Sequence, residues 1–152
     1  MRRVLFVCTG NLCRSPMAEY ILQRELSDRG ADDVLVESAG TFAMEGNPAA
    51  RKAVKEMEKQ GIDMSGHRAR ALTRRMLEEA DVVVVMEKQH ELTALALMPD
   101  AGEKIVLMGK LVDGRDNHEI PDPYGSDEEF FSQTCDLIKK AAAALADRLV
   151  SE

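Results

Sequence analysis

The chain predicts an α/β fold, a four-stranded parallel sheet with helices on both faces, and three observations carry that expectation. Short apolar runs alternate with amphipathic stretches along its length. One run, Val82 to Met86, is four valines and a methionine between polar ends, the composition of a strand buried on both faces. The chain then ends in a long segment whose apolar residues recur at helical spacing.

The elements follow in order. Val4-Leu5-Phe6-Val7 reads as a first strand. Met17, Ala18, Ile21, Leu22 and Leu26 keep helical spacing, and Gly30 is a natural stop. Val34-Leu35-Val36 is a second strand. Asn47-Pro48 is expected to open the next helix, since Asn caps well and Pro suits a first turn. Val54 and Met57 would face the core, and Gly61 would end that helix. Thr73 can cap a short helix through Met76, Leu77 and Ala80. After the valine strand, a helix through Leu92 and Leu95 stops near Pro99, and Ile105-Val106-Leu107 makes the last strand. Ser126-Asp127-Glu128-Glu129 matches a capping box. Phe131, Cys135, Ile138, Ala142, Leu145 and Leu149 then form one stripe. No repeat or linker interrupts the pattern, so residues 1–152 are read as one domain.

Composition narrows the function. The 152 residues are 45% hydrophobic, enough for a packed core, and the formal net charge is -7. An acidic chain with 4% aromatic residues and no Trp lacks the basic face and stacking platform of a nucleic-acid binder. No apolar stretch approaches a membrane span. Three cysteines, Cys8, Cys13 and Cys135, with no secretory signal at the N-terminus, fit free thiols in a reducing compartment, and a cytoplasmic protein is expected.

The chemistry concentrates in Cys8-Thr9-Gly10-Asn11-Leu12-Cys13-Arg14-Ser15-Pro16, between the first strand and the first helix. In a parallel sheet, ligands bind off the carboxyl ends of the strands, and Cys8 stands at one. Backbone N–H groups of such a loop can curl around an anion, with Gly10 and Asn11 suited to left-handed conformations. The helix N-terminus adds donors and a positive dipole. These features favour a thiolate nucleophile. Arg14 can fork across two phosphoryl oxygens. No Gly-Lys-Ser/Thr follows, which excludes a Walker nucleotide site, and Cys8 with Cys13 lacks the Cys/His pair that zinc requires. Thiolate attack on a phosphate needs a proton donor for the leaving oxygen. Asp122, within Ile120-Pro121-Asp122-Pro123-Tyr124-Gly125, is the candidate, though a turn Asp beside Pro is equally ordinary.

These segments resemble the low-molecular-weight protein tyrosine phosphatase family, in the bacterial branch that also contains protein-arginine phosphatases. The Cys8–Pro16 run looks like its signature loop and Asp122-Pro123-Tyr124-Gly125 like its acid loop. Glu37-Ser38-Ala39-Gly40 and Gly66-His67-Arg68-Ala69-Arg70 stand where the family has related segments. The resemblance spans nearly the whole chain. It implies a four-stranded parallel sheet, a phosphocysteine intermediate, no metal or other cofactor, and phosphorylated proteins as partners. It implies Cys8 as nucleophile, Arg14 as phosphate clamp and Asp122 as general acid, then base. Thr9, Gly10, Asn11, Leu12, Cys13 and Ser15 would line the phosphate loop. Asn11, Ser38 and His67 would hold its shape, and Ser15 would hydrogen-bond the thiolate. Oligomerisation is open, from monomer to weak homo-oligomer. Cys13, on the same loop as Cys8, could form a protective disulfide with it on oxidation.

Residues also bear on the substrate. Arsenate reductases with a similar loop need further cysteines, and Cys135 is the only one left. Arginine phosphatases of the branch have Thr where this chain has Leu12. An apolar Leu12 should pack on a phenyl ring and disfavour a guanidinium stem. Phosphotyrosine is therefore the expected substrate and phosphoarginine the alternative. Tyr124 is expected on one wall of the entrance, and Phe42 or Met44 on the other. A non-catalytic phosphate-binding module remains a third reading, against which stands retention of Cys8, Arg14 and Asp122 together. Arg68-Ala69-Arg70 and Arg74-Arg75 are read as recruiting acidic segments or, more simply, as solvated faces.

Overall fold

A computed structural model describes residues 1–152. Four parallel strands stand in the order β2-β1-β3-β4: β1 (Arg2–Cys8), β2 (Val34–Gly40), β3 (Val82–Val85) and β4 (Ile105–Leu107). Strand β1 is central because it is apolar on both faces. Val4, Phe6 and Cys8 enter the larger core, beneath α1 (Arg14–Asp28), α2 (Arg51–Glu58) and α5 (Glu128–Ser151). Leu5 and Val7 enter the smaller core, beneath α3 (Arg74–Glu79) and α4 (Lys88–Leu97). The expected three-layer single domain is the one observed.

From β1 the chain crosses to β2 on one side, then returns to β3 on the other. The carboxyl end of β1 therefore opens into a crevice at a topological switch point. Register sharpens this: Phe6 pairs with Ser38 and Cys8 with Gly40, so both strand ends meet at one place.

The sheet needs Gly at position 40. A Cβ there would lie 2.5 Å from the carbonyl oxygen of Thr9 and 2.9 Å from the amide of Asn11. Two backbone hydrogen bonds cause the close approach, Thr41 N–H to the Cys8 carbonyl at 2.9 Å and Phe42 N–H to the Thr9 carbonyl at 2.8 Å.

Local signals mostly held. Thr73 caps α3, accepting from the Met76 amide. Two boundaries differ. Helix α2 starts at Arg51, with Ala50 as an N-cap residue lacking a side-chain hydrogen bond. Asn47-Pro48 does not open it, because this stretch is pinned extended: Pro48 bridges Arg68, and the Asn47 carbonyl accepts the Ala69 amide at 2.8 Å. At α5 the cap is Asp127, accepting from the Phe130 amide, and not Ser126, whose own amide closes a turn onto the Pro123 carbonyl. The predicted α5 stripe is buried throughout.

The N-terminus of α4 has a reciprocal cap that composition does not advertise. The Glu87 side chain accepts from the His90 backbone, and the Glu87 amide donates to His90 Nδ1 at 3.0 Å. His90 Nε2–H is thereby left to donate to Thr9 Oγ1, 2.9 Å away. Burial, then the nearby Arg14 charge, push the His90 pKa down to about 4.

Two stability predictions follow from these contacts. Between pH 6.5 and 4 the unfolded chain binds a proton at residue 90 that the folded chain refuses, so stability must fall as pH drops through that window, by up to about 3 kcal/mol. Thermal melts at stepped pH should show this decline, and His90→Gln, which keeps a capping side chain without titrating, should show a shallower one. Gly40→Ala should cost about 1–3 kcal/mol in urea unfolding, because the added methyl meets backbone rather than a yielding side chain.

Candidate active site

The loop after β1 is built around Asn11, the only non-glycine residue with positive φ, at 57°. Gly10, expected to share that role, does not take a positive φ. Asn tolerates the left-handed region because its short amide can satisfy neighbouring backbone. Here the side chain is fully buried, and each of its polar atoms has a partner. Nδ2 donates to Ser15 Oγ at 2.8 Å and to Ser38 Oγ at 2.9 Å, and Oδ1 accepts the Arg70 amide at 2.9 Å. The Asn11 carbonyl accepts His67 Nε2–H at 2.8 Å. Loop, α1, β2 and the 66–71 segment thus meet on one residue.

Cys8 Sγ lies 2.9 Å from Ser15 Oγ, which sits in the first turn of α1. Cys13, at the N-cap position, leaves its thiol buried. Burial first, then the charges of Cys8 and Asp122, push its pKa up to about 12. Burial also lowers the His67 pKa, with Arg68 and Arg70 adding to the effect and the Asn11 carbonyl opposing it. His67 is therefore neutral near pH 7. It packs edge-on against Tyr20, with ring centroids 6.4 Å apart.

Arg14 is 2% exposed, and a guanidinium so buried must be paired. Its Nη1 donates to Glu87 Oε2 at 2.6 Å and to the Ile120 carbonyl at 2.8 Å. Burial works to raise the Glu87 pKa, but hydrogen bonds from Arg14 and Gln89 outweigh it and hold the carboxyl below its usual range. Nη2 lies 3.7 Å from Asp122 Oδ2. The Asp122 side chain is half exposed, and its Oδ1 accepts the Tyr124 amide at 3.1 Å, closing a turn around Pro123.

These groups line a cleft of about 170 Å³ formed by Cys8, Thr9, Gly10, Leu12, Cys13, Arg14, Asp122 and Tyr124. Leu12 and Tyr124 supply apolar walls. Phe42 and Met44 are not among the lining residues. They stand 80% and 66% exposed on the turn that Phe42 N–H fastens to Thr9. Sequence reading missed Glu87, His90 and Glu19, which accepts from Ser38 Oγ at 2.5 Å. A signal existed for the first two: Glu87 and His90 follow a strand whose carboxyl end had to face the site. Arg68, Arg70, Arg74 and Arg75 form no free basic patch. Arg70 faces Glu37, Arg74 faces Glu78 and Arg75 faces Glu79, while Arg68 is turned onto backbone carbonyls.

A thiol, a buried guanidinium and a carboxyl at the mouth of a helix N-terminus can bind a phosphoryl group, attack it and protonate what leaves. Residues 3–152 match the family described as low molecular weight phosphotyrosine protein phosphatase. A low molecular weight protein-tyrosine-phosphatase of Acinetobacter johnsonii is 37% identical over 93% of this chain and 94% of its own. A protein-arginine-phosphatase of Geobacillus stearothermophilus is 34% identical over 99% and 97%. Among solved structures, a low molecular weight protein tyrosine phosphatase of T. tengcongensis superposes with a TM-score of 0.89 at 38% identity, over 97% of this chain and 99% of its own. A cysteine-to-serine mutant of the YwlE arginine phosphatase, crystallised with a phosphorylated active-site serine, gives 0.91 at 31% identity, over 99% and 97%. With its sheet order, its loop and its full-length match in accord, this chain belongs to the low-molecular-weight phosphotyrosine protein phosphatase family.

Proposed function

We propose that the protein hydrolyses phosphotyrosine in other proteins through a phosphocysteine intermediate. The observation that carries this reading is the shared cleft: Cys8, Arg14 and Asp122 line one small space, with Leu12 and Tyr124 as its apolar walls.

In the first step Cys8 Sγ forms a bond to phosphorus as the bond from phosphorus to the tyrosyl oxygen breaks. Asp122 gives its proton to that oxygen. Arg14 and the loop amides hold the three equatorial oxygens as charge spreads over them. In the second step Asp122 takes a proton from a water molecule, whose oxygen attacks the phosphocysteine. Inorganic phosphate leaves and Cys8 is restored. Glu87 and the Ile120 carbonyl orient Arg14 from behind, which pre-pays the entropy of placing a long side chain.

Leu12 supports the aryl substrate. Its side chain lines the cleft and offers no hydroxyl to a guanidinium. Phosphoarginine is the second reading, since relatives named as arginine phosphatases share the fold at TM-scores near 0.9. No helix is long and apolar enough to cross a membrane. We place the protein in the cytoplasm, acting as a monomer or weak homo-oligomer, where three free buried cysteines suit a reducing medium. On peroxide exposure, Cys8 would become a sulfenic acid with release of water. Cys13 Sγ would then attack that sulfur, releasing a second water and forming a disulfide.

Initial rates on matched phosphotyrosine and phosphoarginine peptides, with and without EDTA, test the assignment. Phosphotyrosine should be turned over faster, and EDTA should leave the rate unchanged. A phosphoarginine preference would reverse the role given to Leu12. Cys8→Ser should abolish turnover, and Asp122→Asn should lower kcat by about 10²–10⁴-fold, with little change for a substrate whose leaving group needs no proton. Activity lost to peroxide should return with dithiothreitol, and Cys13→Ser should recover much less.

A further inference from the structure

The hydrogen bonds around Asn11 have a direction, and that direction leads to Glu19, a residue with no part in the catalytic steps above. The Arg70 amide can only donate, so the Asn11 atom facing it is the oxygen, 2.9 Å away. Nδ2 must then face Ser15 and Ser38 and donate to both. Each hydroxyl thus spends a lone pair on Asn11 and must send its own hydrogen elsewhere. For Ser38 the remaining partner is Glu19 Oε1, at 2.5 Å. For Ser15 there are two, the Ala39 carbonyl at 3.5 Å, at the limit of a hydrogen bond, and Cys8 Sγ at 2.9 Å.

We propose that Glu19 is a positioning residue for the nucleophile in the series Ser38, Asn11, Ser15, Cys8: its carboxylate takes the Ser38 hydrogen and leaves the Ser38 oxygen to accept from Asn11 Nδ2, and so, together with the Arg70 amide, it holds Asn11 in the orientation that also donates to Ser15, whose hydroxyl hydrogen then points at Cys8 Sγ. The proposal rests on the reading of Cys8 as nucleophile. No proton moves along the series. Glu19 acts by orientation alone, since an ionised carboxylate accepts from Ser38 and cannot donate to it. Without that acceptor, the Ser38 hydrogen would have no buried partner and would compete with the Asn11 amide.

The surroundings make this dependent on acidity. Burial raises the Glu19 pKa, the Ser38 hydrogen bond and the Arg70 charge oppose it, and Glu37 on β2 adds to it. From its own helix Glu19 is flanked by Tyr20, whose phenol pKa is raised by burial and then by Glu19. His67 lies edge-on to that ring. Glu19 therefore takes up a proton at a higher pH than an ordinary Glu and then ceases to be a pure acceptor.

The test uses the full-length protein with para-nitrophenyl phosphate, and iodoacetamide as a probe of Cys8. At pH 7, Glu19→Ala should lower kcat about tenfold, the scale of one hydrogen bond to a charged group. KM should stay within about twofold of the parent, and alkylation of Cys8 should slow. Glu19→Gln, whose amide oxygen accepts at every pH, should recover most of the loss, and its rate relative to the parent should rise as pH falls. A Glu19→Ala protein that melts earlier yet keeps the parent kcat and alkylation rate would overturn the proposal. So would a Glu19→Gln protein as impaired as Glu19→Ala. Cys8→Ser run in parallel separates the two ideas, because its retention of activity would remove the nucleophile assignment whatever Glu19 does.

Discussion

Everything at the carboxyl end of this sheet depends on a left-handed, fully buried asparagine. Asn11 turns the chain so that the loop can curl, and leaves four polar groups needing partners away from water. An unmet buried group costs about 1–3 kcal/mol, so the loop is stable only while Ser15, Ser38, His67 and Arg70 are all in place. That requirement explains why β2 runs on past its apolar residues to Ser38 and Gly40, and why the 66–71 segment lies against the loop. It also explains the absence of a side chain at position 40, where the returning strand comes within contact of the Thr9 carbonyl.

Arg14 poses the opposite problem, a full charge with almost no water. The fold answers with one carboxylate and one carbonyl on the same nitrogen, leaving the other side of the guanidinium toward the cleft and Asp122. The carboxylate that holds Arg14 also caps α4 and is braced by His90, which in turn reaches Thr9. The loop from Cys8 to Arg14 is thus held from both faces of the sheet, by Asn11 on one side of Cys8 and by the Thr9–His90–Glu87–Arg14 circuit on the other. Such bracing is what electrostatic preorganisation requires, because donors already in position need not be moved during reaction.

How much of this was legible beforehand varied with distance along the chain. The valine strand, the Thr73 cap, the α5 stripe and the Cys8–Arg14 loop were readable because each is decided by neighbours within a few residues. Asn47-Pro48 misled for a related reason: its local preference for a helix start is real, but pairing with Arg68 and Ala69 overrides it. Glu19 carried no local signal and Glu87 only its place after a strand; Arg14, 73 residues from Glu87, and Ser38, 19 residues from Glu19, reveal their work. Phe42 and Met44 were placed at the entrance by their character, whereas backbone hydrogen bonding sets the turn that carries them outside the cleft lining.

The Ile120 carbonyl that receives Arg14 has a consequence for how the molecule comes into being. Donor and acceptor are 106 residues apart, and the Glu87 and His67 contacts close loops of 73 and 56 residues. Long-range closures of this kind form late, after local helices and the first strand pairs. During synthesis the cysteine-bearing loop emerges early, yet its arginine finds its carboxylate only once residue 87 has been made and its carbonyl only once residue 120 has folded back. A growing or truncated chain would carry Cys8 beside an unanchored Arg14, so the cleft they line is completed only with the last third of the protein.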